Sequence, residues 1–464
     1  MASPGPGEVS PASFRDPSGF VFLRAGRVLR QVNKSYAPDY DQLMESGLYR
    51  ALVDAGRLIP HEETDEPAEL PDECYRVLAP EPVPLISYPY EWCFSQLKDA
   101  ALATLAIQLR AMEHGMALKD ASAYNIQFVR GRPVMIDTLS FERYREGEPW
   151  VAYRQFCQHF LAPLALMSRT DVRLGQLFRV YIDGVPLDLA SRLLPGRTRW
   201  SLGLATHVHL HARTQQRYAD RQGTAKRRPV TRLALTGIIR SLENTVRGLR
   251  WRPGGTEWAE YYDATNYSTG AFKHKQGLVE RYLDRVRPRT VWDLGANTGE
   301  FTRLAAERGI PSAAFDIDPA AVEKNYRDCR ERGEENILPL VLDLTNPSPG
   351  IGWENEERMS IAQRGPADLT MALALVHHLA ISNNLPLSKV ARFFSHVGAK
   401  LIVEFVPKTD SQVKRLLSTR ADIFPGYTRE EFERYFGERF RILESSPVEG
   451  SERTLYLMER KTTD

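Results

Sequence analysis

The hydrophobic pattern changes its rhythm part-way along the chain. Residues 20–32 carry a short strand-like pattern split by Gly26, and residues 39–58 read as a helix whose apolar stripe is Leu43, Leu48, Leu52 and Val53. The stretch "HEETDEPAELPDE" reads as an acidic loop. "YRVLAPEPVPLISYPYEW" reads as extended chain, because its prolines cannot sit inside a helix. Helical spacing dominates residues 94–115 and again about 150–210. From residue 256 onward short apolar runs alternate with helix-spaced ones, the arrangement of parallel α/β units. No segment repeats at a fixed period, which excludes a solenoid or propeller.

Between the two rhythms lies "HARTQQRYADRQGTAKRRPVTR", basic and poor in large apolar groups. It predicts a domain boundary. Its charge suits either phosphate or RNA contact or a solvated connector, and few aromatics for base stacking stand near it. The predicted division is a flexible arm over 1–17, a domain over 18–213, a basic connector over 214–255 and a second domain over 256–464. The Pro-, Gly- and Ser-rich start, "MASPGPGEVSPASFRDPSG", lacks the apolar core of a signal peptide. No apolar run reaches the roughly 18 residues of a spanning helix.

Composition narrows the function classes. The 61 basic and 59 acidic side chains nearly cancel, so no global field steers nucleic acid or a membrane surface toward the chain. Four scattered cysteines, with no C-x-x-C pair, speak against a zinc site or disulfide framework and for a reducing, cytoplasmic setting. No metal site is firm from the sequence.

The densest chemistry lies in "TVWDLGANTGEFTRLAAERGIPSAAFDIDPAAV". A buried-strand run reaches Asp293, then a turn contains Gly295 and Gly299, where the backbone bends sharply and a ligand approaches without a Cβ in the way. A helix-spaced stretch and a second apolar run end at Asp316, about 20 residues on, the spacing of an acid that receives ribose hydroxyls. The G-x-G-x-x-G pyrophosphate fingerprint is absent. Here the sequence resembles the class I S-adenosylmethionine-dependent methyltransferases, with Asn297 in place of the middle glycine of D-x-G-x-G-x-G. "LPLVLDLTNPS", with Asp343, resembles the third strand end, "ADLTMALALVHHL" the fourth, "KLIVEFVPKTD" the fifth and "RTLYLMER" the closing strand.

The resemblance implies a Rossmann-like α/β domain that binds S-adenosylmethionine through Asp293, Gly295, Asn297, Gly299, Asp316 and Asp343. Asp293 and the glycine turn would hold the methionine portion, Asp316 the ribose and Asp343 the adenine. His377 and His378 follow the fourth strand, and each is either a general base or a structural histidine. Glu404, ending the fifth strand, is a base, an orienting group or a solvent-facing acid. The N-P-P-Y motif is missing, with Leu373, Ala374, Leu375 and Val376 in its place, which favours an oxygen nucleophile or a small molecule. A tyrosine-rich stretch before the first strand either offers Tyr261, Tyr262, Tyr267 and Lys275 to the acceptor or packs as an amphipathic helix. A long insertion before the fourth strand, of a length usually functional or disordered, offers Trp353 and Arg364.

A second constellation stands upstream in "LKDASAYNIQFVRGRPVMIDTLSFE". Asp120 and Asn125 have the D-x-x-x-x-N spacing of a kinase catalytic loop, and Asp137 stands where a D-F-G-type metal ligand would. This half resembles the protein-kinase-like superfamily, closest to aminoglycoside and other small-molecule phosphotransferases, and implies an α+β fold. By that resemblance Asp120 would align an acceptor hydroxyl while Asn125 and Asp137 hold magnesium on ATP. The histidine of H-x-D is replaced by Leu118, D-F-G reads Asp137-Thr138-Leu139, and no glycine-rich loop or V-A-I-K lysine is evident. Arg30 or Lys34 is the candidate substitute, and Glu45 the candidate partner of either.

The expectation is therefore a fusion whose second half methylates a hydroxyl on a small molecule or glycan, and whose first half binds nucleotide or presents substrate. Bifunctional kinase–methyltransferases of bacterial surface-polysaccharide assembly offer an analogy, as do methyltransferases of nodulation-factor or secondary-metabolite pathways. An RNA methyltransferase, an active bifunctional enzyme and a non-catalytic nucleotide sensor are the alternatives. The sequence leaves the acceptor and the oligomeric state open.

Overall fold

A computed structural model describes residues 7–210, 229–253, 269–418 and 421–461. The chain divides into two units, Met1–Arg252 with Gly350–Arg358, and Pro253–Pro349 with Met359–Asp464.

The first unit opens with five antiparallel strands in the spatial order Glu8–Val9, Gly19–Arg24, Arg27–Asn33, Cys74–Pro80, His61–Thr64. Gly19–Arg24 and Arg27–Asn33 are paired to their last residues, Arg24 opposite Arg27. The two-residue turn between them has positive φ at Ala25 (48°) and Gly26 (76°), the geometry a tight hairpin requires. Two expectations change here. The arm over 1–17 is, from Gly7 on, tied to the sheet, with Glu8 and Val9 paired to Leu23 and Phe22. Part of the acidic stretch is an edge strand, its ladder bonds supplied by Cys74–Pro80, while its acids face water and blunt the open edge.

The helix expected over 39–58 is two, Ala37–Glu45 and Leu48–Asp54, because Gly47 takes φ 76° between them. Helix Phe94–Glu113 carries the largest buried face of the unit. It leads to a short strand, Met116–Leu118, paired with Phe141–Arg143, and to the hairpin Ile126–Val129 and Arg132–Met135. Short helices follow as far as Leu210. Of the connector expected over 214–255, residues 214–228 and 254–255 lie outside the described residues. The remainder contains the helix Arg232–Gly248, which buries Leu235, Ile239, Leu242 and Val246 and belongs to the first unit.

The second unit is built on one seven-stranded sheet. Its strands are β1 (Val291–Leu294), β2 (Ser312–Asp316), β3 (Ile337–Val341), β4 (Ala367–Ala372), β5 (Gly398–Phe405), β6 (Phe440–Pro447) and β7 (Thr454–Arg460). They lie in the order β3-β2-β1-β4-β5-β7-β6. The first five are parallel, and β7 runs antiparallel between β5 and β6. The mixed α/β character follows from the sequence: β1 and β2 are buried at every residue, as strands covered on both faces must be. Val291, Leu369, Met371, Ile402 and Leu457 meet Val279 and Tyr282 of helix Thr269–Val286 in the main core. Chain order reverses between β1 and β4, and the crevice at such a point is where ligands of open α/β sheets bind.

Candidate functional site

A cavity of about 270 Å³ opens at the carboxyl ends of β1–β4. Asp293, Gly295, Asn297, Asp316 and Asp343 all line it. Gly295 has φ 75°, and a Cβ there would come within 3.2 Å of the Leu375 side chain. Gly299, with φ 83°, starts helix Glu300–Ala306, and a Cβ on it would meet Asn325 at 2.6 Å. It shapes the turn from behind rather than lining the cavity. Asn297 takes φ 51°, a conformation asparagine tolerates better than most residues.

The three acids are held in different ways. Asp293 accepts a hydrogen bond from Thr302 Oγ1 at 2.6 Å. Burial pushes its carboxyl up to about 7, against the pull of Thr302 and Lys275. Asp316 ties the turn to β2: Oδ2 accepts from the Asn297 N–H at 2.7 Å and Oδ1 from the Asp318 N–H at 2.9 Å. Burial raises it to about 6, and those N–H groups oppose the shift. Asp343 accepts from the Thr345 N–H and hydroxyl at 2.8 and 2.7 Å.

Opposite the acids stands a buried ion pair. Lys275 Nζ reaches Glu404 Oε2 at 2.6 Å and lies 4.7 Å from the centroid of the Phe301 ring. Burial lowers the lysine pKa, and Glu404 works against the shift. Glu404 Oε2 also accepts the Ala374 N–H at 2.7 Å, while Arg453 approaches Oε1 at 3.7 Å and is itself paired with Asp410 at 2.8 Å. Ala374, on the cavity wall, has φ 50°. Glu404 is thus a fully buried clamp on a strained turn and is absent from the cavity lining, so it is not the solvent-facing acid that its strand-end position suggests.

The adjacent histidines differ. His378 faces the cavity at the start of a π-turn, a distortion frequent at functional sites. Burial, then Arg453, pushes it down to about 4, so it is neutral at pH 7. His377 is fully buried, packs against His378 with ring centroids 4.2 Å apart and the planes tilted by 38°, and has no hydrogen-bond partner among the described residues. Of the acceptor candidates, Lys275 lines the cavity; Tyr261, Tyr262 and Tyr267 lie outside the described residues. Trp353 and Arg364 do not line it, and Trp353, 66% exposed, falls in the stretch grouped with the first unit.

In the first unit, Asp120, Asn125 and Asp137 also converge. Asp137 Oδ1 meets Arg30 Nη2 at 2.5 Å, and its Oδ2 accepts from Ser140 Oγ at 2.6 Å. Asn125 donates to Ser140 Oγ at 3.1 Å. Asp120 accepts from the Ser122 N–H at 2.9 Å and from Gln155 at 2.7 Å. Lys34 points elsewhere, to the Asp72 carbonyl.

Nodulation protein NoeA of Rhizobium meliloti (strain 1021) is 38% identical to this chain over 468 residues, covering 99% of it and 97% of the relative. The chain belongs to the NoeA family. No protein-family model matches it. Among solved structures, the bifunctional kinase–methyltransferase WbdD is 16% identical, covers 43% of this NoeA-family chain and 42% of its own, and superposes with a TM-score of 0.30. Magnesium protoporphyrin IX methyltransferase ChlM from Synechocystis PCC 6803, with bound SAH, is 16% identical over 44% of this chain and 93% of its own, with a TM-score of 0.31. These scores lie below the level at which a shared fold follows.

Sequence reasoning missed several residues that make the site of this NoeA relative. Thr302, which holds Asp293, sits in the helix after the turn and carries no signal of its own. Arg453 precedes β7 and reaches Glu404 only through the antiparallel return of the chain. Phe272, Ile317 and Leu379 give the cavity its apolar walls, and in the sequence they are ordinary core-pattern positions.

Proposed function

We propose that the second unit is an S-adenosylmethionine-dependent methyltransferase acting on an oxygen nucleophile of a small molecule or glycan. The observation that carries this reading is the cavity at the point where chain order reverses, with Asp293, Asp316 and Asp343 at three successive strand ends around a left-handed turn. Its mostly apolar walls and few convergent polar groups are those of a small-ligand site. The residues suit the cofactor: Asp316 is anchored by two backbone N–H groups and keeps lone pairs for a diol, Asp343 stands beside it, and Asp293 and Lys275 offer both signs of charge to an amino-acid tail.

When bound, S-adenosylmethionine supplies an electrophilic methyl group. The chain's part is mainly to fix and align the acceptor, which for well-oriented pairs gains an effective molarity of about 10⁵ M or more. His378, neutral at pH 7 and facing the cavity, takes the hydroxyl proton, and His377 packs behind it. The relative's name, a nodulation protein, supports seeking the acceptor among molecules made for nodulation. The first unit, in this reading, binds nucleotide or holds the acceptor.

Calorimetric titration of the full chain with S-adenosylmethionine and S-adenosylhomocysteine tests the reading. Saturable binding is expected, weakened roughly 10- to 100-fold by Asp316→Asn, as loss of a hydrogen bond to a charged group implies. Absence of saturable binding to either molecule overturns the proposal, and unchanged affinity in the variant overturns the role of Asp316.

A further inference from the structure

The resemblance of the first unit to phosphotransferases implies a magnesium ion held by Asn125 and Asp137, and the donor set can be tested for it. Asp137 is the acid best placed to bind a cation, and most of its lone pairs are already engaged. Oδ1 takes the Arg30 guanidinium at 2.5 Å and the Leu139 N–H at 3.1 Å, while Oδ2 takes the Ser140 hydroxyl at 2.6 Å. Asp120, the other acid, is turned toward the Ser122 N–H, Gln155 and Asn125. Lys119 stays nearby, 2.6 Å from Ser18 Oγ and 3.5 Å from Asp16. Among the described residues no group of three His, Cys, Asp or Glu side chains is arranged to hold a metal ion.

A second observation agrees. In protein kinases a glycine-rich loop covers the nucleotide phosphates. Here the equivalent hairpin is closed by the two residues Ala25 and Gly26, with pairing continued to Arg24 and Arg27. Arg24 is engaged by Glu69. The two-residue turn is not the glycine-rich loop of a protein kinase.

We propose that Arg30 is a built-in cation that occupies the magnesium position beside Asp137, making the first unit a metal-independent module that carries out no phosphoryl transfer. The guanidinium supplies a single positive charge at a fixed site, and it joins strand Arg27–Asn33 to the loop after Arg132–Met135. A second cation placed there meets the repulsion of Arg30 and Lys119 in a half-buried setting. The cluster therefore serves as an internal lock between sheet and loop. This inference is independent of the methyl-transfer reading, because its residues all lie in the first unit.

The test is Mn²⁺ titration of the full chain followed by electron paramagnetic resonance, with Mn²⁺ as the only added ligand. Wild-type protein is expected to show no saturable site below millimolar concentration. Arg30→Gln is expected to gain one site, at least about tenfold tighter than any wild-type binding, because a like charge a few ångströms away is removed. The double variant Arg30→Gln/Asp137→Asn is expected to lose it again. Arg30→Lys, which keeps the charge, is expected to behave as wild type and serves as the folded control if Arg30→Gln does not fold. A saturable Mn²⁺ site in wild type or Arg30→Lys overturns the proposal. So does a folded Arg30→Gln protein that gains none.

Discussion

Replacing Glu404 with Gln separates two roles that its place at the end of β5 leaves open. The substitution keeps the shape but removes the charge from a side chain with no exposure, leaving Lys275 with a neutral partner and taking one of the carboxylates away from Arg453. Breaking a buried ion pair from one side costs about 3–5 kcal/mol. For a unit of this size each kcal/mol moves Tm by roughly 2–4 °C, so the second unit should melt about 6–20 °C lower. The loss should shrink as pH rises, because a buried lysine without its counter-charge sheds its proton while the unfolded chain keeps it up to about pH 10. Replacing both partners, Glu404→Leu with Lys275→Met, should recover most of the loss. The Ala374 N–H then still lacks its acceptor, which costs about 1–3 kcal/mol. Scanning calorimetry of the full chain reads these shifts, the relevant transition being the one that S-adenosylhomocysteine raises. A Glu404→Gln protein that melts within about 2 °C of wild type and is strongly impaired in turnover would refute the clamp and restore the acid as a proton acceptor.

Two other outcomes follow from the buried titratable groups. His378 is pushed down to about 4, so its imidazole should show no titration between about pH 5 and 8 by NMR of the full chain, and a titration near pH 6.5 would contradict the burial; His378→Asn should abolish turnover more fully than His377→Asn. Asp293 and Asp316 have folded pKa values raised to about 7 and about 6, so the folded protein holds protons that the unfolded chain has lost; stability of the ligand-free second unit should fall as pH rises from about 4 to 7. Melting temperature against pH, compared between wild type and Asp293→Asn, checks this: a slope undiminished in the variant would remove Asp293 from the account.

The acids around the cavity were legible because strand-period runs end where they stand, and a sheet gathers such ends on one edge. Asp293, Asp316 and Asp343 needed no long-range information. Glu404 was located but not understood: its partner Lys275 is 129 residues away, and a strand end alone does not say which face is buried. The edge strand His61–Thr64 was hidden for the same reason, since its acids look like a loop until Cys74–Pro80 supplies the ladder. The helix Arg232–Gly248 was readable in principle. Leu235, Ile239, Leu242 and Val246 have helical spacing, but the basic segment before it made the whole region look like a connector. At Gly47 the apolar stripe ran on across a residue whose left-handed φ ends one helix and begins the next.

The stretch Gly350–Arg358 has a consequence for heredity as well as for shape. It contributes to the first unit Glu357, nearly inaccessible and 2.5 Å from Arg15, and Arg358, whose guanidinium lies 4.3 Å from the centre of the Tyr124 ring. A gene fragment ended after residue 252 would encode the first unit without this piece, leaving Arg15 without its ion pair to Glu357 and the buried Tyr124 ring without the guanidinium beside it. The two halves therefore cannot be exchanged by a single crossover, as tandem cassettes can. Recombination that moves one half intact must either carry nine distant codons with it or reinvent them.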